Sequence, residues 1–224
     1  MSQHAILFDA GETLLFPKPS REVMFQRMAT SVGLTLSIDA VREGYRHLDL
    51  HLARYGLPLS GAAYNALILE GAGCSGNIQA HAESITTALA EIASFEFQVF
   101  EETRDVLNRL VGLGYKLGVV SNWDNSLESI CAKLGLTGYF DVIVASQVVG
   151  FAKPDRRIFE VAIQQLNVEK ANTCHVGDSY HTDVVGARNA GITPVLFDWK
   201  GCCPDADCLH IERLNELTNH LCAD

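Results

Sequence analysis

The chain has 224 residues, of which 48% are hydrophobic and 20% are charged, and its formal net charge is −10. This balance excludes a disordered chain, and no apolar run approaches the roughly 20 residues of a membrane-spanning helix. The acidic charge makes nucleic acid a poor partner, and we expect no membrane partner. The sequence shows no signal-peptide pattern, so we expect the seven cysteines to be reduced thiols in a cytoplasmic protein.

The first predicted element is a strand over residues 5–10, AILFDA, and a long helical segment follows it. Residues 20–95 show apolar residues at helical spacing between glycine and proline breaks. The helices predicted there are 20–32, 37–54, 60–71 and 78–93. Gly71, Gly73 and Gly76 spell G-x-G-x-x-G in this segment, but a dinucleotide site needs that sequence between a strand and a helix. We therefore interpret these glycines as a connection between two helices.

Strands and helices alternate in the rest of the chain. The predicted strands are 116–122, 141–146, 172–178 and 193–197, and the predicted helices are 101–113, 125–135, 155–166, 180–190 and 211–222. Short apolar strands separated by amphipathic helices are typical of a parallel sheet with helices on both faces. We predict an α/β fold, with a doubly wound parallel-sheet core domain (1–17 and 96–224) and a small all-α helical-bundle domain (18–95) inserted after the first strand.

Polar side chains follow the predicted strands, at the edge where functional groups collect in an open parallel sheet. They are Asp9, Thr13, Ser121, Asn122, Lys153, Asp178 and Asp183. Each alone is typical of a residue that caps the next helix, but together they supply three carboxylates, a hydroxyl, an amide and a lysine. Carboxylates brought together need a cation, for which Mg²⁺ fits best, and a bound phosphate would explain the lysine. Asp9, kept ionised by both, can then attack phosphorus.

Four segments carry a resemblance to a known family: ILFDAGETL (6–14), GVVSN (118–122), FAKPDRRIF (151–159) and HVGDSYHTDVVGARNAG (175–191). In this order they resemble the four motifs of the haloacid dehalogenase (HAD) superfamily, and they are closest to its phosphatase-like branch with a helical cap between motifs I and II. The resemblance implies a Rossmann-like HAD core with a cap domain. It also implies a Mg²⁺-dependent phosphatase that hydrolyses a small phosphorylated metabolite through an aspartyl-phosphate.

The resemblance assigns roles by position. Asp9 matches the nucleophile, and Lys153 matches the lysine that steadies the nucleophile and the phosphoryl group. The residues that match the metal site are Asp9, Gly11, Asp178 and Asp183. The residues that match the phosphate-binding site are Ser121, Asn122 and Lys153. Gly11 contributes to the metal site only through its backbone carbonyl.

Gly11 is also the main departure from the family pattern. The family's phosphatases usually carry a second Asp at this position, two residues after the nucleophile, and it protonates the leaving alcohol. Without it, general acid–base help typically worth ~10²–10⁴ in rate is lost. The candidate substitutes are Glu12, Asp124, His181 and a residue of the cap. We expect hydrolysis to favour good leaving groups, such as acyl or aryl phosphates, because protonation matters least for them.

Two other functions stay open. A haloacid dehalogenase-type hydrolase of carbon–halogen bonds also lacks the second Asp, although the acids in GDSYHTD argue for metal and phosphate. A catalytically weakened HAD-like binding or regulatory protein would explain Gly11 as a sign of lost chemistry. Phosphonate hydrolysis is disfavoured, because in the family it relies on a cap lysine and residues 20–115 contain no lysine.

Other clusters of polar residues carry weaker signals. Residues 55–95 contain no Lys or Arg, which disfavours a substrate with a second strongly anionic group; basic side chains near the cap are Lys18, Arg21, Arg27, Arg42, Arg46 and Arg54. The aromatic residues interpreted as cap core are Tyr45, Tyr55 and Tyr64. His47 and His51 lack a third metal ligand. Adjacent cysteines fit zinc poorly, so we interpret as a thiol-rich surface loop the segment with Cys202, Cys203, Cys208 and His210. A monomer or homodimer is expected.

Overall fold

The structure, a computed structural model, describes residues 4–55, 61–90, 96–201 and 203–221. The chain divides into two compact units, Met1–Phe16 with Phe97–Asp224 and Pro17–Glu96. The first unit contains the sheet and the second contains the inserted helices. Among the helices of these described ranges, none combines the length and the apolar character that a bilayer crossing requires.

A six-stranded parallel sheet forms the centre of the first unit, in the order β5-β4-β1-β6-β7-β8. Its strands are β1 (Ala5–Phe8), β4 (Lys116–Ser121), β5 (Val142–Ala145), β6 (Thr173–Gly177), β7 (Thr193–Phe197) and β8 (Leu209–Ile211). All four residues of β1 are buried, because this strand has a neighbour on each edge and helices over each face. Phe8 lies level with Val119 of β4 and Val176 of β6, which aligns the carboxyl ends of the three strands.

Helices cover both faces of the sheet, as the alternation predicted. The helices of this unit are α5 (Thr103–Gly112), α6 (Leu127–Lys133), α7 (Ser146–Val149), α8 (Arg156–Leu166), α9 (Gly186–Ala190) and α10 (Glu216–Leu221). Ile6 and Phe8 pack into the cluster that α5, α6 and α10 complete, whereas Leu7 packs into the cluster that α8 and α9 complete. Successive strand residues point to opposite faces, so β1 contributes to both cores.

The carboxyl-terminal part of the sheet differs from the prediction. The predicted helix 211–222 is wrong in its first part: residues Leu209–Ile211 form β8, parallel to β7, and the helix begins at Glu216. Ile211 is buried at this sheet edge, and pairing with β7 satisfies its backbone, which outweighs the helical spacing. The predicted helix 180–190 begins as a π-helix, Tyr180–Val185, and continues as α9.

Two further strands were not predicted. β2 (Leu15–Lys18) and β3 (Glu96–Val99) form a two-stranded sheet. In the chain, both boundaries between the two units fall within these strands. Each strand has only four residues, which is too short for a clear alternating pattern.

The second unit consists of helices α1 (Arg21–Ser31), α2 (Ile38–Tyr55), α3 (Gly61–Gly71) and α4 (Ile78–Ala90). The residues buried between them are Phe25, Ala29, Val41, Leu48, Ile68, Leu69, Ala82 and Ile85. The G-x-G-x-x-G segment connects two helices, as expected: Gly71 is the last residue of α3, and α4 begins at Ile78. Residues 91–93 of the predicted fourth helix lie outside the described residues.

Candidate active site

The predicted site residues lie at the carboxyl ends of three adjacent strands. Asp9 follows β1, Ser121 ends β4, and Asp178 follows β6. Because β1 lies between β4 and β6, the three positions meet at one edge of the sheet. Ser121 is buried there, and the hydroxyl of buried Thr13 has no hydrogen-bond partner within the described ranges.

An acidic cluster occupies this edge. Carboxylate oxygens of Asp9, Asp178 and Asp183 lie within 4.8 Å of one another. Asp9 and Asp183 are buried, with 8% and 1% of their surface exposed. The Ser179 N–H donates to Oδ2 of Asp183 at 3.0 Å, which helps to turn this carboxylate back toward the strand ends. At Gly177 a Cβ atom would lie 2.2 Å from Cγ of Asp183, so only glycine fits beneath the carboxylate.

Lys153 joins two of the three carboxylates. Its Nζ lies 2.5 Å from Oδ1 of Asp9 and 2.6 Å from Oδ1 of Asp183, and the residue is only 3% exposed. Asn122 fixes the backbone of this lysine: its Nδ2 donates to the Lys153 carbonyl at 2.9 Å, and its Oδ1 accepts from the Lys153 N–H at 2.7 Å. The side-chain amide of Asn122 therefore holds the lysine loop against the end of β4.

The electrostatics of the cluster differ from residue to residue. Burial raises the pKa of Asp9 to about 7; Lys153 opposes this rise, and repulsion from Asp183 and Asp178 adds to it. Burial also acts to raise the pKa of Asp183, but the charge of Lys153 and a hydrogen bond from His175 outweigh it and hold that pKa below its usual range. Burial lowers the pKa of Lys153, but the two carboxylates outweigh burial and raise it. Lys153 is thus an ammonium group, and Asp9 is the carboxyl whose ionisation needs further positive charge.

His175 is a contributor that the sequence analysis missed. It lies in β6 with no exposed surface, and its Nε2 is 2.8 Å from Oδ1 of Asp183. Burial lowers its pKa, against the opposing effect of Asp183, so the ring is neutral and donates from Nε2 to the carboxylate. Phe159 packs edge to face against the ring, with 4.9 Å between centroids. The available signal was an imidazole inside a buried strand, three residues before Asp178.

Lys200 is the second contributor that was missed. Its Nζ lies 2.8 Å from Oδ2 of Asp178 and 3.4 Å from Oε2 of Glu12, and all three side chains are mostly buried. The lysine follows β7, the strand next to β6. Lys200 is therefore a second cation beside the acidic cluster. It also joins Asp178 to Glu12, which lies three residues after Asp9.

Glu12, a candidate substitute for the missing acid, has an unusual backbone. Its φ is +60°, a left-handed conformation that is unfavourable for a residue with a Cβ. The Nε1 of Trp199 donates to its carbonyl at 2.8 Å, and its carboxylate contacts the Lys200 ammonium. The Glu12 carboxylate therefore shares the Lys200 ammonium with Asp178.

Gly11 lies against the ring of Trp123. A Cβ atom placed on Gly11 would be 3.2 Å from Cζ3 of the indole, which is closer than ordinary van der Waals contact. The indole Nε1 donates to Oγ of Ser126 at 3.2 Å, and the ring packs against Phe97 with 5.2 Å between centroids. The space that an aspartate at position 11 would need is therefore next to an anchored aromatic ring.

The other candidate acids are placed less favourably. The exposed side chain of Asp124 accepts a hydrogen bond from the Ser126 N–H at 2.8 Å, and hydrogen bonds from the side chain and the backbone of Ser126 lower its pKa. His181 lies in the π-helix and is partly buried. Within the described ranges, the acidic cluster of potential metal ligands includes neither residue.

Three of the arginines singled out in the inserted helices have partners there. Arg21 contacts Asp49 and Glu22, and its guanidinium lies 4.2 Å above the ring of Tyr45. Arg42 and Arg46 form ion pairs within α2. Burial raises the pKa of the half-buried Tyr64. The side chains of Arg54 and Tyr55 lie outside the described residues.

The two weaker metal hypotheses receive no support in the part of the chain that the structure describes. The acidic cluster is the one group of three or more potential ligands found there, and it includes neither His47 and His51 nor His210. Neither Cys203 nor Cys208 belongs to a group of potential ligands there. Cys202 lies outside the described residues.

A sequence profile of the haloacid dehalogenase-like hydrolases matches residues 3–191. The chain belongs to this family of hydrolases. It is 32% identical over 208 residues to the haloacid dehalogenase-like hydrolase domain-containing protein 3 of Danio rerio, and the match covers 87% of this chain and 85% of that protein. It is 33% identical over 120 residues to a glyceraldehyde 3-phosphate phosphatase of Methanothermobacter thermautotrophicus, with 51% of this chain and 50% of that one covered.

Solved structures of the haloacid dehalogenase-like family share the fold. The HAD phosphatase of Thermococcus onnurineus superposes with a TM-score of 0.63 at 26% sequence identity, and the match covers 99% of each chain. Family membership and the six-stranded parallel sheet confirm the resemblance and the fold class that the motifs predicted. The protein is therefore a haloacid dehalogenase-like hydrolase, with phosphatases among its relatives.

Proposed function

We propose that this hydrolase is a Mg²⁺-dependent phosphatase of a small phosphorylated metabolite and that it works through an aspartyl-phosphate on Asp9. The observation that carries the proposal is the contact of the buried Lys153 ammonium with both Asp9 and Asp183. A cation held between two carboxylates at a strand edge can also pair with phosphoryl oxygens. The phosphatases among the relatives support the same reaction class.

The acidic cluster fits a hard divalent cation. The groups that would hold Mg²⁺ are the carboxylates of Asp9, Asp178 and Asp183 and the carbonyl of Gly11, all of them oxygen donors, which this ion prefers. When bound, the ion neutralises negative charge between the nucleophile and the phosphoryl group. It would also favour the ionised form of Asp9, whose pKa burial otherwise raises.

The proposed reaction has two displacements at phosphorus. A carboxylate oxygen of Asp9 attacks the phosphorus, and the bond to the leaving-group oxygen breaks, so that this oxygen departs with the electron pair. Water then attacks the same phosphorus, releases inorganic phosphate and a proton, and restores the Asp9 carboxylate. Lys153 pairs with the phosphoryl oxygens in both steps, and the Ser121 hydroxyl and Asn122 contribute to the phosphate site. Asn122 acts mainly by positioning the Lys153 backbone.

The leaving group departs without a proton from position 11, since Gly11 has no side chain. The substrates favoured by the proposal are therefore acyl and aryl phosphates, whose leaving groups are stable as anions. In this proposal the inserted helices, residues 18–95, act as the cap that selects the substrate, and the enzyme is a cytoplasmic monomer or homodimer.

Phosphate release with Mg²⁺ and with EDTA tests the proposal. Asp9→Asn should abolish turnover, whereas Asp207→Asn, a change to an exposed acid paired with Arg188, should leave it intact. Acid-quenched enzyme should carry one phosphoryl group on the peptide that contains Asp9. Halide release from haloacids in EDTA would indicate a dehalogenase instead. Mg²⁺ binding without turnover of any phosphate would indicate a binding or regulatory protein.

A further inference from the structure

Both tryptophans of the chain contact the segment that follows Asp9. Trp123 lies against Gly11, and Trp199 donates its Nε1 to the carbonyl of Glu12. The two indoles differ in their surroundings. The Trp123 ring is partly buried against Phe97, and Trp199 is 39% exposed and packs against Phe100. Trp123 is thus the indole beside position 11, where the family's phosphatases usually carry the acid that protonates the leaving group.

The orientation of Trp123 is set by two contacts. Its Nε1 donates to Oγ of Ser126, and Phe97 packs against its ring at a tilt of 59°. Trp123 also follows Ser121 by only two residues, at the end of the strand that neighbours β1. The ring is therefore fixed beside the strand ends where Asp9 and Ser121 meet.

We propose that Trp123 is a specificity-determining residue that contacts the leaving group and makes the site select phosphates whose leaving group carries an uncharged aromatic ring. This inference rests on the proposed phosphatase function. Indole and an aryl ring attract each other in stacked and edge-to-face arrangements. Asp124, the residue that follows Trp123, is an exposed carboxylate whose pKa is lowered by hydrogen bonds from Ser126, and its charge disfavours a second negative charge beside the ring.

The chemistry of position 11 agrees with this assignment. An aryl or acyl oxygen carries away the electron pair of the broken P–O bond as a stable anion and needs no proton from the enzyme. The ring of Trp123 adds binding where an acid would have added protonation. In this proposal, contact between Trp123 and the leaving group takes the place of proton donation at position 11. The favoured leaving groups do not need that proton.

Benzoyl phosphate and acetyl phosphate separate these two effects. Both release a carboxylate of similar acidity, but only benzoyl phosphate has an aromatic ring. The wild-type ratio of kcat/KM, benzoyl over acetyl, should exceed one, and Trp123→Leu should lower it by about 3- to 10-fold, the range of one aromatic contact. Trp123→Phe should restore most of the ratio. Trp199→Leu is the matched control and should leave the ratio unchanged.

A binding measurement covers the case in which Trp123→Leu fails to fold. In Trp199→Phe the remaining indole is Trp123, so fluorescence reports on that ring alone. Benzylphosphonate, which is not hydrolysed, should change this emission, and methylphosphonate should not.

The outcomes distinguish the two proposals. Equal benzoyl-to-acetyl ratios in wild type and Trp123→Leu, with Mg²⁺-dependent turnover intact, would overturn the role of Trp123 and leave the phosphatase function standing. An equal fall of the ratio in Trp199→Leu would overturn it as well. Absence of turnover of every phosphate by the wild type would overturn both proposals together.

Discussion

Asn122 and Lys153 are joined by two hydrogen bonds that run in opposite directions, from the Asn122 amide to the Lys153 carbonyl and from the Lys153 N–H to the Asn122 amide oxygen. The two residues lie 31 positions apart in the chain. This pair couples the end of β4 to the loop whose lysine reaches Asp9. The two hydrogen bonds thus fix the Lys153 backbone, in the third motif, relative to Asn122, in the second.

Asn122→Ala removes both hydrogen bonds and releases the Lys153 backbone. We expect the free energy of unfolding to fall by about 1 to 2 kcal/mol and kcat to fall by roughly 100-fold, because a small displacement of a reacting group has an effect of this size. Asn189→Ala is the matched control, since Asn189 donates a single exposed hydrogen bond to the next residue of the loop, Pro154. Denaturant unfolding and steady-state kinetics measure both. A fall in stability with unchanged kcat would contradict the coupling.

The left-handed backbone of Glu12 predicts an unusual order of stabilities. Glu12→Gly and Glu12→Ala both remove the carboxylate, but only alanine keeps the cost of a positive φ, about 1 to 2 kcal/mol. We expect the glycine variant to be more stable than the alanine variant by roughly 1 kcal/mol. The same pair at Glu43, inside helix α2, should give the opposite order, because glycine costs about 1 kcal/mol in a helix. Thermal unfolding of the four variants checks both orders.

Lys200→Met should strengthen Mg²⁺ binding. The ammonium group contacts Asp178 and repels a divalent ion at the acidic cluster. A unit charge about 6 Å from such an ion in a water-like dielectric corresponds to roughly tenfold in Kd. Lys170→Met, which removes an equal charge from an exposed pair with Glu160, should leave the Kd unchanged. Calorimetric titration of Mg²⁺ makes the comparison, and weaker binding in Lys200→Met would show that the lysine positions Asp178 instead.

Asp9→Asn should stabilise the metal-free protein at alkaline pH. Folding raises the pKa of Asp9 to about 7, so folding disfavours the ionised form, and this carboxyl lowers stability progressively as the pH rises from its unfolded pKa to its folded pKa. In EDTA at pH about 8 the variant should therefore exceed wild type by roughly 1 to 3 kcal/mol of unfolding free energy. Near pH about 4 the difference should largely vanish, because Asp9 is then protonated in the folded state. A variant less stable than wild type at alkaline pH would contradict the assignment.

Restoring an acid at position 11 should depend on Trp123. Gly11→Asp alone should lower stability and fail to raise turnover, because its side chain meets the indole. Gly11→Asp combined with Trp123→Ala should hydrolyse alkyl phosphates about 10- to 100-fold faster than Trp123→Ala alone, the contribution of a positioned acid. A double-mutant cycle measures this non-additivity. Additive effects would indicate that the ring does not govern position 11.

Much of the fold follows from the sequence. The apolar runs of β1, β4 and β6 are buried on both faces, so their pattern is strong, and polar residues after each run marked the strand ends correctly. Strand β8 has only three residues, and its formation depends on an open edge of β7 that no local pattern reveals. The sequence predicts an ordinary helix at the π-helix because both give similar apolar spacing over six residues.

The site residues that were missed share a physical reason. His175 lies inside strand β6, before its end, and Lys200 follows a strand that carries no motif, so neither belongs to the polar residues that follow the motif-bearing strands. Their importance comes from distances to Asp183 and Asp178, which only the folded chain provides. Trp123 was overlooked because its effect is steric and acts on a glycine more than one hundred residues away in the chain.

The π-helix at Tyr180–Val185 makes this stretch sensitive to chain length. The backbone hydrogen bonds of a π-helix span one residue more than those of an α-helix, and here the π-helix holds Asp183 in contact with Lys153. Deleting one residue among the partly buried positions 180–182 would tighten the turn and rotate all that follows by about 100°. The number of residues in this stretch is therefore more tightly constrained than the identity of its exposed side chains. An engineered insertion or deletion there should impair the site, even where a substitution at the same position is tolerated.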